Sequence, residues 1–350
     1  MREMIVSEFD MLELVDLNGT KVFENATVSN CIPFISAASS KLRTTIISNI
    51  NKDRVIYHAF EQNYSKLVQD EKTAVWNVTQ EERKGEKHKG MHVLGDFCYI
   101  SVGMVLNADE KVAKGEFVKA DLISESQDEI HCKNYIEGKD LERFCIKRIR
   151  YLEYGTKRSP GELRRPTFDE LYTSPKLLIN ALGEMKASVD LGTNYYCEQQ
   201  VRMALLWKDL ENVSNKSITS SIKKFSTLTR DEMERLSRSV DIRYLLGIIN
   251  SKYASVLLSN IRGGDYHIVP EHIRNIPIPS ASGEQQRPII DLVNSILKAK
   301  EADPAADTKD LEDKIDLLVY HLYGLTYAEV LIVDPETPIT REEYNNNVTY

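Results

Sequence analysis

The spacing of apolar residues changes character near residue 226 of this 350-residue chain, and that change limits the fold more than any other feature. Upstream, the apolar runs are short. Residues 41–49 (KLRTTIISN), 54–60 (RVIYHAF) and 72–78 (KTAVWNV) are β-branched or aromatic, the composition that fits a pleated, half-buried surface. Residues 92–105 (HVLGDFCYISVGMV) are apolar with two glycines, the pattern of a buried strand that bends. Ser174-Pro175 introduces another apolar strand at 176–181 (KLLINA), and 194–207, which alternates less cleanly, reads as a paired strand. Residues 81–90 (EERKGEKHKG) form a polar loop.

Downstream, the period is helical. Residues 226–260 read as one helix, opened by the capping-box pair Thr229 and Glu232. Ile242, Leu245, Leu246, Ile249, Tyr253, Val256 and Leu257 share its apolar face. Gly263-Gly264 breaks it, and Pro270, Pro277 and Pro279 mark an extended stretch. Residues 285–300 and 310–323 are two further helices, the second ended by Gly324. The expected class is therefore α+β, a strand-rich mixed part followed by a C-terminal helical region. Residues 336–350 read as a polar tail.

No apolar run approaches the roughly 20 residues of a membrane span, and the first ten residues carry acids where a signal peptide has an apolar core. The five cysteines are dispersed, odd in number and without a C-x-x-C pair, so a reducing cytoplasm fits best. Net charge is −8, but residues 301–350 hold three bases against twelve acids, which leaves the first 300 residues with 42 bases and 41 acids. Within them, 139–165 carries nine bases and four acids. Such a cluster is either a salt-bridged surface or a patch for phosphates.

Known nucleotide, metalloprotease and hydrolase motifs are absent. Two stretches loosely match a Mg²⁺ nuclease: Asp169 with Glu184 and Lys186, and Asp128 with Glu137 and Lys139. Two such matches in one chain show how little the pattern specifies. Three segments suit DNA better. Residues 151–166 (YLEYGTKRSPGELRRP) combine aromatics, glycines and the paired bases Lys157-Arg158 and Arg164-Arg165, which can follow a duplex backbone or reach guanine edges. Residues 216–224 (KSITSSIKK) are a polar, basic loop with Lys223 and Lys224. The glycine turn after the long helix brings Arg262, Tyr266 and His267 to a point where backbone can approach a phosphate.

Five blocks in order resemble one family. ELRRPTFDELYTSPKLLI, DIRYLLGIINSKYA, IVPEHIRNIPIP with EQQRPIIDLVNSILKAKEADPAAD, LEDKIDLLVYHLYGLTYAEVLIVD and VFENATVSNCIPFI resemble the TaqI-like C-terminal specificity domain of bacterial N6-adenine DNA methyltransferases from restriction–modification systems. This target recognition domain holds double-stranded DNA while a separate catalytic domain flips and methylates an adenine. The resemblance covers residues 20 to 335 or so. It implies a recognition body over 21–225, a helical packing and docking region over 226–335, and a linker from an upstream domain over 1–20. The chain has no Asn-Pro-Pro-Tyr tetrapeptide and no glycine-rich S-adenosylmethionine loop. It is accordingly expected to be non-catalytic by itself, with S-adenosylmethionine bound by a methyltransferase domain joined in cis or in trans. Arg158, Arg164 and Arg165 are the expected base or phosphate contacts; Lys157, Lys223, Lys224 and Arg262 the phosphate contacts; His267 a further donor. The rival readings are a protein–protein adaptor docking through 285–323, and the nuclease at Asp169, Glu184 and Lys186.

Overall fold

Four strands begin the chain: β1 (Asp10–Asp16), β2 (Cys31–Ser36), β3 (Thr44–Ile50) and β4 (Ile56–Asn63), in the sheet order β2-β1-β3-β4. The β1–β3 pair is parallel and its neighbours are antiparallel. Alternation decides the faces: Met11, Thr45 and Ile47 are fully buried, while Leu12, Ile46 and Phe34 point outward. Residues 10–16, inside the stretch read as a linker, are thus a central strand of this sheet. A short ribbon, β5 (Val68–Asp70) with β6 (Val75–Trp76), follows. The computed structural model describes residues 9–17, 31–37, 44–50, 56–63, 68–70, 75–76, 88, 90–106, 118–157, 159, 168–262 and 266–346. They fall in two compact units, Met1–Glu86 with Ser259–His267, and Lys87–Leu258 with Ile268–Tyr350.

The second unit opens with β7 (His92–Val93), a one-turn helix α1 (Leu94–Phe97) and β8 (Cys98–Val102). The single bent strand expected over 92–105 is therefore interrupted. Asp96 causes the interruption, because its carboxylate accepts the Val93 N–H (3.1 Å) and closes the turn. Next come β9 (Ile123–Ser124), β10 (His131–Ile136), β11 (Leu141–Glu142), β12 (Cys145–Ile146), β13 (Arg150–Glu153), helix α2 (Asp169–Thr173), β14 (Lys176–Asn180), β15 (Ala187–Asp190), β16 (Tyr196–Cys197) and β17 (Val201–Leu206). Two four-stranded sheets result, β15-β14-β17-β8, wholly antiparallel, and β16-β10-β13-β9. Every residue of β14 and β17 is buried, which explains why KLLIN and VRMALL read as continuous apolar runs rather than alternating ones.

Lys176 and Asp190 place an ion pair inside this core. Both side chains are completely buried and 2.6 Å apart. Lys176 Nζ also donates to the Tyr172 and Ser174 carbonyls (2.7 and 3.3 Å). Asp190 accepts the backbone N–H groups of Gly192, Thr193, Asn194 and Tyr195. All three ammonium donors and both carboxylate oxygens are thereby used, the condition under which a buried ion pair is tolerated.

The helical region comprises α3 (Lys216–Phe225), α4 (Arg230–Ser237), α5 (Ile242–Asn250), α6 (Lys252–Arg262), α7 (Pro270–Arg274), the short strand β18 (Pro277–Ile278), α8 (Gly283–Ala302), α9 (Lys309–Leu322), α10 (Tyr327–Val333) and α11 (Arg341–Asn346). The fold is α+β with a helical C-terminal region. The continuous helix expected over 226–260 is three helices, because side chains that cap backbone N–H groups fall at the breaks. Thr229 and Glu232 form the capping box of α4, Asp241 accepts the Arg243 N–H, and Ser251 Oγ accepts the Ala254 N–H (3.1 Å). Helix α5 is nearly all buried, and Gly247 lets it approach α8: a Cβ there would collide with Ile289. Asn250 fastens α5 to β15 by exchanging two 2.9 Å hydrogen bonds with the Ala187 backbone. In the stretch read as a polar tail, α11 is anchored by Tyr344, 4% exposed, whose hydroxyl donates to the Leu325 carbonyl. No helix among the described residues is long and apolar enough to cross a membrane.

Two predictions follow from these buried charges. Lys176→Met strands a buried carboxylate, and urea denaturation should show a loss of about 3–5 kcal/mol; a loss below about 1 kcal/mol, the scale of an exposed pair, would mean the pair is dispensable. On α9, burial pushes the Asp316 carboxyl up to about 6, offset in part by the Lys252 N–H it accepts. The folded state therefore holds this proton more tightly than the unfolded one. That contribution favours folding below the unfolded value of 3.8 and is lost as pH rises toward 6. Asp316→Asn should flatten the melting-temperature profile across that window.

Candidate nucleic-acid interface

The basic cluster at 139–165 divides into two classes. Arg150 is buried and pairs with Asp140 (2.6 Å), with Glu137 and Glu125 beside it. Arg148 pairs with Glu125, Lys147 with Glu142, Lys139 with Glu137, and Arg143 with Glu312. These five bases are answered by carboxylates, and the salt-bridged reading holds for them. Lys157 is different. It is exposed on a turn after β13, which Gly155 enters at φ +75°. Ser159 closes the turn by accepting the Thr156 N–H and donating its own N–H to Thr156 Oγ1. Thr156 Oγ1 in turn donates to Glu153 (2.6 Å). Arg158, Arg164 and Arg165 lie outside the described residues.

The ends of that segment are well placed. Before it, Tyr154 packs on Tyr196 (ring centroids 4.9 Å apart), which stacks on Tyr172 of α2 (4.5 Å). After it, Phe168 meets Tyr99 (6.1 Å), and the Tyr99 hydroxyl donates to Ser217 Oγ in the first turn of α3 (3.0 Å). The chain leaving the 151–166 segment thus passes beside the first turn of α3.

Residues 216–224 form helix α3, not the loop expected from their hydroxyls. Asn215 caps it by accepting the Ser217 N–H (2.9 Å), and Ile218 and Ile222, one turn apart, fix one face to the core. Lys216, Thr219, Ser220, Lys223 and Lys224 are exposed on the other side. Residues 212–229 contain three lysines, ten Ser, Thr or Asn residues and no acid. At the C-terminal end, Lys224 Nζ and the Arg274 guanidinium both lie over the exposed Phe225 ring, 4.7 and 4.1 Å from its centroid. Burial pulls the Arg274 pKa down, against the opposing charge of Glu271.

Lys157, Lys223 and Lys224 belong to the second unit; Arg262, at the end of α6, and His267 belong to the first, where His267 sits edge-on to Tyr266 (6.2 Å). Both stretches resembling nuclease motifs have structural explanations. Lys186 pairs with Glu142 (2.8 Å). Asp128 accepts the Ile130 and His131 N–H groups, bonds that with the His131 ring hold its carboxyl down at about 2. Among the described residues no three His, Cys, Asp or Glu side chains converge to hold a metal.

No family model and no curated protein matches this chain. Solved structures do. The Type IIL restriction-modification enzyme MmeI in complex with DNA is 11% identical, with 97% of this chain covering 46% of that one at a TM-score of 0.50. The type IIG restriction endonuclease BpuSI is 12% identical over 92% of this chain and 45% of its own, at a TM-score of 0.34. The HsdS subunit from Thermoanaerobacter tengcongensis is 12% identical over 66% of this chain and 44% of its own, at 0.31. The likeness to MmeI is one of fold, and this chain spans about half of that protein's length.

Because Lys223 and Lys224 are exposed, replacing both with Gln should leave the melting temperature within about 1 °C, the scale of a surface change. If both meet phosphates, the slope of log affinity against log salt for duplex DNA falls by about two. An unchanged slope would remove α3 from the interface.

Proposed function

We propose that this chain is a sequence-specific recognition module for double-stranded DNA in a restriction–modification system, working in the cytoplasm. In this reading it positions the duplex for an N6-adenine methyltransferase catalytic domain supplied in cis or in trans, and that domain binds S-adenosylmethionine. One observation carries the reading: 97% of the chain matches the fold of part of an enzyme described in complex with DNA. The five sequence blocks and the acid-free exposed helix α3 support it independently.

The division of labour follows the charge. Residues 21–225 carry the reading surfaces, with Lys157, Arg158, Arg164 and Arg165 on one segment and Lys223 and Lys224 on α3. Residues 226–335 brace that body against the catalytic domain. Arg262 and His267, on either side of Gly263-Gly264 in the sequence, add phosphate contacts. Phosphate contacts give affinity without sequence information, so specificity must come from side chains that enter a groove; an arginine reaching a guanine edge is the commonest such contact.

Electrophoretic mobility shifts across a salt series test the reading. Affinity for duplex that falls steeply with salt is expected. No retardation at about 50 mM salt, where a footprint of several phosphates still holds, would favour a protein–protein adaptor. Replacing Arg164 and Arg165 by Ala should weaken specific binding by about 1–3 kcal/mol with an unchanged melting temperature. A lowered melting temperature at constant affinity per folded molecule would make that pair structural.

A further inference from the structure

Arg274 ends α7 and is only 8% exposed. Its position is built into the fold. Gly95 leaves the space its stem occupies, since a Cβ on residue 95 would collide with Arg274 Cγ. Trp207 Nε1 donates to the Gly95 carbonyl (3.0 Å) and holds that turn in place. The charge delivered there is poorly answered. Arg274 Nη2 makes two long hydrogen bonds, 3.4 Å to the Ile100 carbonyl and 3.3 Å to Ser221 Oγ. Nη1 is buried with no acceptor, and Glu271 acts on the guanidinium only through space. A buried cation without a bonded anion is costly, and a fold that constructs its berth implies a partner.

Beside the guanidinium is a cavity of about 30 Å³, lined in part by Asp96, Ser221, Phe225, Ser226, Arg274 and Asn275. That is room for one or two oxygen-sized groups. Asp96 is already engaged, accepting the Val93 N–H (3.1 Å) with His92 Nδ1 at 3.2 Å. Lys224 stands over the same Phe225 ring that stacks on Arg274. We propose that Arg274, Ser221 and Lys224 hold one phosphate-class oxyanion at the C-terminal end of α3. One oxygen enters the cavity and accepts from the Arg274 guanidinium and the Ser221 hydroxyl, while Lys224 closes on the outer oxygens. The phosphate comes from a duplex backbone lying along α3 or from free phosphate; only the first source rests on the DNA-recognition reading.

Two titrations of the full chain test this. Inorganic phosphate is added at constant ionic strength, with chloride as the balance, while the melting temperature is followed. Duplex affinity is measured across a salt series. Wild type, Lys224→Gln and Arg274→Gln are compared; Lys224 is exposed, so its variant reports even if Arg274→Gln fails to fold. Phosphate should raise the wild-type melting temperature, with the shift at least halved in Lys224→Gln and gone in Arg274→Gln. If the source is DNA, the log–log salt slope falls by about one in Lys224→Gln, and that fall supports the site even without a response to free phosphate. A phosphate response lost in the variants, with no duplex binding by any of them, keeps the site and defeats the DNA reading. Duplex binding with an unchanged slope, and a phosphate response absent or equal in all three proteins, keeps the DNA reading and overturns the site.

Discussion

The Lys176–Asp190 pair is the contact on which the second unit's geometry turns. It joins β14 to the end of β15, and through Asp190 it gathers four successive N–H groups into the turn that delivers Tyr196. Through the Tyr172 carbonyl it also reaches α2, where the chain returns from the 151–166 segment. Tyr196 and Tyr172 then pack against Tyr154, where that segment departs. Both ends of the 151–166 segment are therefore referred to one desolvated ion pair. Such a pair contributes little net stability against a well-packed apolar substitute. What it supplies here is geometry: five donors around one carboxylate admit one arrangement of the turn.

Charge shows the same economy elsewhere. The bases of 139–150 look available in sequence, yet each meets a carboxylate, one as near as Glu142 and another as distant as Glu312. A cation already paired releases few counterions on meeting DNA, so these side chains cannot contribute much to a salt-dependent footprint. The lysines of α3 are exposed and lie in a stretch without acids. Counting bases along the chain therefore overstates the first region and understates the second.

What was legible in the sequence follows from the range of the forces involved. The α+β class, the capping box of α4 and the helices near 285–300 and 310–323 were readable because periodicity and caps act within a few residues. The breaks at Asp241 and Ser251 were also local, but an apolar stripe continuing across both concealed them. Helix α3 is ambiguous in sequence because only Ile218 and Ile222 mark its buried face, and its hydroxyls suit a turn equally well; the Asn215 cap is the local signal that favours a helix. The one-turn helix at Leu94–Phe97 rests on a single carboxylate. Nothing local marks Arg274, whose setting depends on Gly95 and Ser221, far away in sequence.

The anchoring of α3 also separates two demands that often conflict. Ile218 is fully buried, and truncating such a side chain costs about 2–5 kcal/mol. Changes at exposed positions such as Lys216, Thr219, Ser220 and Lys223 fall within about ±0.5 kcal/mol. The inner face can therefore hold the helix at a fixed height and angle while the outer face changes what it contacts. A loop of the same composition could not do this, because its backbone would move with each substitution. The helix makes the outer residues a surface on a rigid support, and a rigid support lets one hydrogen bond discriminate between partners without first paying to order the backbone.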